Sequence, residues 1–482
     1  MFNYRTRNLG KRLRAVGAIC VTAAGLSSGQ VVEPAEAPDA PKSGVVVAPR
    51  PGENQESEKP SFWDRVWISG QVNSITQYHP GFHAPYSGYS SAHRTPEMAN
   101  SDLMTLYTGI RLTNSTEVLY DLEVARNSGI SNVLGLAGFT NADIVRDPTL
   151  GLKPYSPRFL FRQIIGLSKD TADATPGPFG FARKLPVRRL EFRIGRLNTS
   201  DFFDINSVGS DPHQQFMNWT VVNNGAYEFM AQTYGAMLEY YDRHWALRFM
   251  EAMMPIEANG GDLDWSLKRS RSENVEWELQ RGFIPGKDGV IRVLGFLNHA
   301  NMGSYRDSVD DFLQGRARVP DITSCERQGT AKYGVGLNVE QQVTKPVRVF
   351  ARLGWNDGRY ESYAYSEVNR TIATGAQWSG STWKRPNDQI GVAEVVNGLS
   401  GDHSRYLGLG GQGFLLGDGQ LNYGQERVTE AYYTWNFGRG ISAAIDLQHI
   451  VNPGYNRDRG PILVPSIRLH IDLDRETFKR KK

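Results

Sequence analysis

From Ser466 to Leu473 polar and apolar side chains alternate without a break, with Ile467, Leu469, Ile471 and Leu473 on one side and Ser466, Arg468, His470 and Asp472 on the other. Two preceding runs repeat the pattern. Ala431, Tyr433, Trp435 and Phe437 oppose Tyr432, Thr434 and Asn436, and Ile441, Ala443, Ile445 and Leu447 oppose Ser442, Ala444, Asp446 and Gln448. Successive side chains of a strand point to opposite faces, so a period of two predicts strands here.

The pattern recurs far upstream. Tyr120, Leu122 and Val124 interleave with Asp121, Glu123 and Ala125; Leu190, Phe192 and Ile194 with Glu191, Arg193 and Gly195; Val275, Trp277 and Leu279 with Glu276 and Glu278. Tyr333, Val335, Leu337 and Val339 alternate with glycines, Asn338 and Glu340, and Val347 to Trp355 alternate with Arg348, Phe350 and Arg352. A soluble sandwich would give the same alternation, with polar sides in water and apolar sides in a core. Here the polar sides carry both signs of charge, with Arg prominent, and the opposite sides are rich in Trp, Tyr and Phe, as lipid-facing girdles are. The pattern therefore predicts an all-β chain, a transmembrane antiparallel β-barrel around a wet lumen.

Composition narrows the choice. No run of about 18 apolar residues occurs, which excludes a helical membrane protein, and the negative mean hydropathy suits strands that are half polar. Fifty glycines and 21 tyrosines among 482 residues, with many turn clusters, fit all-β structure. At roughly 25 residues per strand and connection, the length beyond residue 61 supplies about sixteen strands, within the range of outer-membrane barrels.

Residues 1–37 read as a signal peptide: Arg5, Arg7, Lys11, Arg12 and Arg14 precede the short apolar segment Ala15 to Gly25, and Ala35-Glu36-Ala37 offers a cleavage site. A basic amphipathic arm is the alternative. Removing this segment takes away five basic and two acidic residues, so 54 − 5 and 51 − 2 leave 49 of each sign and no global basic surface for nucleic acid. Cys20 lies inside the segment without the flanking residues of a lipidated cysteine, which leaves Cys325 unable to form an internal disulfide. Residues 38–61, rich in Pro, Glu, Ala and Ser, are expected to be a disordered periplasmic segment. Residues 62–473 are the expected barrel, and 474–482 a basic C-terminal tail.

Local imitations of catalytic motifs fail on context. Gly408, Gly410 and Gly413 satisfy the glycine spacing of a dinucleotide loop, but no room for the required helix follows, so a glycine-rich strand with a tight Gly-Asp-Gly turn is expected. Pro80 and Gly81 oppose a helix between His79 and His83, so a metal pair is not indicated. Ser168 to Val187, Pro- and Gly-rich, reads as a long turn or loop. Carboxylates occur in most strands and no single pair stands out for hydrolysis. No metal or cofactor is expected.

Several segments carry a family resemblance: Gly70 to Gly88, Thr108 to Glu117, Ala137 to Asp143, Pro157 to Gln163, Gly195 to Asn206, Asp211 to Trp219, Arg385 to Gly391 and Gly417 to Glu426. In order and spacing, across roughly residues 62–473, the chain resembles the carbohydrate-selective porins of the OprB family. The resemblance implies a sixteen-stranded barrel in the outer membrane of a Gram-negative-type bacterium, for passive diffusion of mono- and small oligosaccharides and not an enzyme. Its implied partners are the sugar, outer-membrane lipid and the barrel-assembly machinery, with the barrel acting as a monomer or homotrimer. Family barrels end on an aromatic residue, whereas here nine residues follow Leu473 and the last four are basic.

A neutral sugar offers hydroxyl donors, acceptors and apolar ring faces, so a selective lumen needs charges of both signs and aromatic surface, and it must bind weakly to conduct. Strand phase puts Arg111, Glu123, Glu191, Arg193, Arg348 and Arg352 on polar faces, and Arg158 and Arg162, four apart, share one. These are the candidate pore-lining residues, with Trp219 as a candidate stacking platform. The alternative role of each charged residue is a wall ion pair, and that of Trp219 an interfacial girdle. Other functions remain open: a non-selective general porin, an outer-membrane barrel enzyme with groups converging from distant strands, and a soluble periplasmic sugar-binding β-protein.

Overall fold

A computed structural model describes residues 62–126, 128–144 and 153–473. The signal segment, the Pro-rich segment and the basic tail expected at the two ends lie outside the described residues.

Alternation becomes a closed sheet. Its strands are β1 (Val66–His79), β2 (Glu97–Thr113), β3 (Thr116–Arg126), β4 (Tyr155–Gly166), β7 (Arg189–Leu197), β8 (Thr233–Tyr241), β9 (Trp245–Ala252) and β10 (Arg271–Leu279). They continue with β11 (Gly289–Met302), β12 (Arg327–Gln342), β13 (Val347–Asn356), β14 (Arg370–Ser379), β15 (Gln389–Gly398), β16 (Glu426–Gly438), β17 (Ile441–Val451) and β18 (Ile462–Leu473). These sixteen strands pair antiparallel with their chain neighbours, and β18 closes on β1. The seam runs from Gly70 opposite Leu473 to Gln77 opposite Ser466. Between β4 and β7 a separate hairpin, β5 (Thr171–Asp173) with β6 (Lys184–Pro186), stands outside the barrel sheet.

The faces follow the sequence pattern. Ile467 is 63% exposed and its neighbour Arg468 1%, so the apolar side points outward and the ionisable side inward. Outward aromatics gather towards the two rims: Trp378, Tyr433 and Trp435 near one, Tyr234 with Trp265 and Tyr333 with Trp355 towards the other. An apolar band between aromatic girdles is the surface that a bilayer covers. Among the described residues no helix is long and apolar enough to cross a membrane.

Long connections cluster at one rim, including residues 80–96, 198–232, 303–326 and 399–425, and tight turns such as 242–244 and 439–440 close the other. In outer-membrane barrels the short turns face the periplasm. The expected glycine-rich strand near Gly408 is absent. Residues Gly401–Gly408 instead form a helix, whose Ser400 cap accepts a hydrogen bond from the His403 backbone NH (3.1 Å), and its glycines end the helix.

Candidate pore interior

The connection from Asn198 to Gln232 does not stay at the rim. It folds into the lumen, where Phe203, Phe216, Met217 and Val221 are fully enclosed. A largely irregular segment needs partners for its backbone polar groups away from bulk water, and the inward side chains of the wall supply them. Arg352 on β13 donates to Val221 O (2.7 Å) and pairs with the Asp204 carboxylate (3.0 Å). Arg468 on β18 donates to the carbonyls of Pro212 and Gln215, both at 2.8 Å. Glu276 accepts from the Asp204 NH (2.7 Å), and Glu430 from the NH groups of Met217 and Asn218. The segment is tied to the wall on several sides of the barrel.

Its short helix α1 (Trp219–Val222) starts at Asn218, whose side chain accepts from Thr220 NH (3.0 Å). Trp219 is buried between Phe229 and Tyr365, with stacked rings whose centroids lie 5.5 and 5.1 Å away. Phe139 adds a tilted contact at 5.1 Å. The structure thus places Trp219 inside the lumen, within an aromatic stack.

Along the wall itself the charges join sideways. Arg162 bridges Glu117 and Glu191, each at 2.7 Å, and Glu191 also takes Arg193 at 2.7 Å. Arg193 reaches Glu239; Arg248 then links Glu239 (3.5 Å), Glu276 (2.9 Å) and Glu278 (3.0 Å). Arg292 bridges Glu278 and Glu340 at 3.0 Å each, and Arg348 ends the series on Glu340 at 3.2 Å. The ladder runs without interruption over nine neighbouring strands, β3 to β13. Planar guanidinium groups suit it, because one fork can serve two carboxylates.

Of the sequence candidates, Arg158, Arg162, Glu191, Arg193, Arg352 and Trp219 are buried, and all but Trp219 are held by ion pairs. Arg158 pairs with Asp121 and with Asp201 (2.7 Å). Arg111, Glu123 and Arg348 keep partial exposure. Glu123 accepts from Thr105 (2.7 Å) and Tyr155, and Arg111 donates to Phe181 O (2.9 Å).

Beside Glu123 lies a group that strand phase did not single out. His213, on the lumen segment, pairs with Asp143 (2.9 Å) and Asp211 (3.4 Å), and the Gln71 amide lies 3.2 Å from its Nε2. Asn73 donates to the other Asp143 oxygen at 2.6 Å, and the His213 ring stacks on His470 at 5.8 Å. Burial opposes charge on His213, but the two carboxylates outweigh it and hold its pKa up at about 10. Asp211 remains two-fifths exposed and His213 about a quarter, so both face the aqueous path. The available signal was the Asp-x-His spacing in a polar stretch without strand alternation. Among the described residues no three His, Cys, Asp or Glu side chains are placed to hold a metal ion.

Residues 180–473 match the family described as carbohydrate-selective porin, OprB family. The chain belongs to that family. It is a carbohydrate-selective channel of the outer membrane. The structure resembles the high-pH structure of Pseudomonas putida OprB, with a TM-score of 0.63 and 15% identity over 84% of this chain and 94% of that one. It also aligns with the outer-membrane channel DcaP of Acinetobacter baumannii, with a TM-score of 0.47 and 11% identity over 85% of this chain and 97% of that one. No curated protein matches the chain. The first of these barrels supports the porin fold, and family and fold together point to a channel rather than an enzyme.

Proposed function

We propose that this porin passes mono- and small oligosaccharides by passive diffusion, without catalysis, and that the sugar is read on a strip formed by Gln71, Glu123, Tyr155, Asp211 and His213. The observation that carries the reading is partial exposure combined with both kinds of hydrogen-bonding group. Asp211 and Glu123 offer acceptors, His213 and Gln71 donors, and all retain contact with the lumen. A polyol exchanges its water for such groups at little net cost, so residence is short and flux is maintained. Arg111 and Arg348, both half-buried, flank the path, while Arg158, Arg162, Glu191, Arg193 and Arg352 act as positioning residues through their ion pairs. Trp219 supports the lumen segment through its stack.

The barrel works in contact with outer-membrane lipid through its apolar band, as a monomer or a homotrimer, and β18 is the strand presented to the assembly machinery. Liposome swelling by refolded protein, comparing glucose with amino acids of similar size, tests the channel reading. Faster swelling with the sugar is expected, and equal rates for all small solutes would make the protein a general porin. For the strip, Glu123→Gln and Asp211→Asn should each lower the preference for sugar severalfold in barrels that still fold. Unchanged preference in both variants would remove the strip from the path.

A further inference from the structure

The Pro- and Gly-rich connection between β4 and β7 is the longest at the short-turn rim, and it does not hang into the periplasm. Its arms pair as β5 and β6, and the tip turns back on itself through reciprocal bonds between Gly177 and Gly180 (3.0 and 3.2 Å). The tip enters the lumen. Phe181 is buried against Trp67 of β1, with ring centroids 6.5 Å apart, and the Arg111 guanidinium sits 5.4 Å from its ring while donating to its carbonyl. Phe179 lies 4.4 Å from the Arg158 guanidinium and 5.8 Å edge-on from Phe202 of the lumen segment. Gly180 approaches the wall so closely that a Cβ would collide with the Arg162 guanidinium and come 3.2 Å from Glu117 Oε2.

The contrast within the hairpin is informative. Thr171, Asp173 and Lys184 in its arms are exposed, whereas the tip is fitted to β1, β2, β4 and the lumen segment at once. Aromatic rings over guanidinium groups add attraction that strengthens on desolvation, and glycine between them permits the close approach. Such seating fills cross-section that would otherwise belong to the channel.

We propose that Phe179-Gly180-Phe181 is a second constriction, seated from the periplasmic side, that sets the largest sugar able to pass. This rests on the reading of the barrel as a sugar channel and adds to it a size filter separate from the strip around Glu123 and His213. Withdrawal of the tip opens the space beside Arg111, Arg158 and Arg162 to oligosaccharides longer than those the native channel admits.

The test is liposome swelling with glucose, a disaccharide and a hexasaccharide. It compares the full chain with a variant whose residues 171–186 are replaced by a short Gly-Ser turn and with the double variant Phe179→Ala, Phe181→Ala. Folding of each is followed by the heat-dependent mobility shift of the barrel on gels, and the double variant carries the test if the shortened chain does not fold. A hexasaccharide rate at least threefold above the parent's, with glucose undiminished, is expected. An unchanged size profile in folded variants, with glucose still passing through the parent, would overturn the filter and leave the channel intact. A parent that passes no sugar at all would overturn the channel reading and the filter with it.

Discussion

The two halves of the barrel wall solve the same problem differently. From β3 to β13 the inward charges bind mainly one another, with Glu191, Glu239, Glu278 and Glu340 each shared between guanidinium groups. From β14 through β18 to β2 the inward groups are largely amides and hydroxyls, and they bind mainly the loops: Gln448 donates to Thr140 O (2.7 Å), Thr434 to Gln214 O (3.0 Å), Gln77 to Thr140 O (3.0 Å). A wall that pairs with itself fixes its own shape. A wall that pairs with inserted backbone fixes the shape of the passage, and the half-exposed Gln71 and His213 lie where loop meets that second kind of wall, beside Glu123 on β3 of the first.

Substitutions should separate the halves. Arg352→Met strips the buried Asp204 carboxylate of its cation and frees the Val221 carbonyl, and it should cost about 3–5 kcal/mol, the range for breaking a buried pair. The unfolding midpoint in denaturant reads this, and a midpoint within error of the parent would show that the segment is held elsewhere. Arg292→Met should cost less, about 1–3 kcal/mol, because Glu278 keeps Arg248 and Glu340 keeps Arg348 as partners. Sugar preference should be retained in that variant; losing it would make the ladder part of the selectivity strip. Gln448→Leu, in the amide half, should cost only about 1 kcal/mol yet alter single-channel conductance, since Thr140 and Asn218 both lose a tether.

The last effect is electrostatic and depends on pH. His213 has its folded pKa raised to about 10, above its ordinary value near 6.5, so the stability it contributes is complete below about pH 6.5 and is lost as pH rises through 10. Asp211 is held down to about 2 by His213 against the effect of burial, and its contribution is lost as pH falls from about 3.8 towards 2. Melting temperatures at pH 6, 8 and 10.5 should decline more steeply for the parent than for His213→Gln. Parallel curves would mean that the imidazolium is not held by Asp143 and Asp211.

Strand phase was readable because period two is local. Every run singled out in the sequence, from Tyr120 to Leu473, faces the way its alternation implied, and Arg111, Glu123, Arg193, Arg348 and Arg352 do point inward. What phase could not reveal was what stands in front of each residue. Arg352 meets Val221 and Arg468 meets Pro212 across separations of 131 and 256 residues, and no periodicity in the stretch from 198 to 232 announces that it folds inward. The connection from Ser168 to Val187 was readable as a turn from its prolines and glycines, but its Phe-Gly-Phe tip owes its place to Trp67 and Arg111, which are distant in the chain. Local rules give the wall; the passage through it is a long-range property.

The seam between Gly70–Gln77 and Ser466–Leu473 joins the first strand of the barrel to the last. Until β18 is in place the sheet has two open edges, each a row of unsatisfied NH and CO groups that lipid cannot hydrate. A chain cut short before Ile462 is therefore not a slightly smaller barrel but an unclosed curved sheet, prone to pairing with its neighbours. The final twelve-residue strand acts as a completeness check on synthesis, since every earlier hairpin depends on it for a closed perimeter.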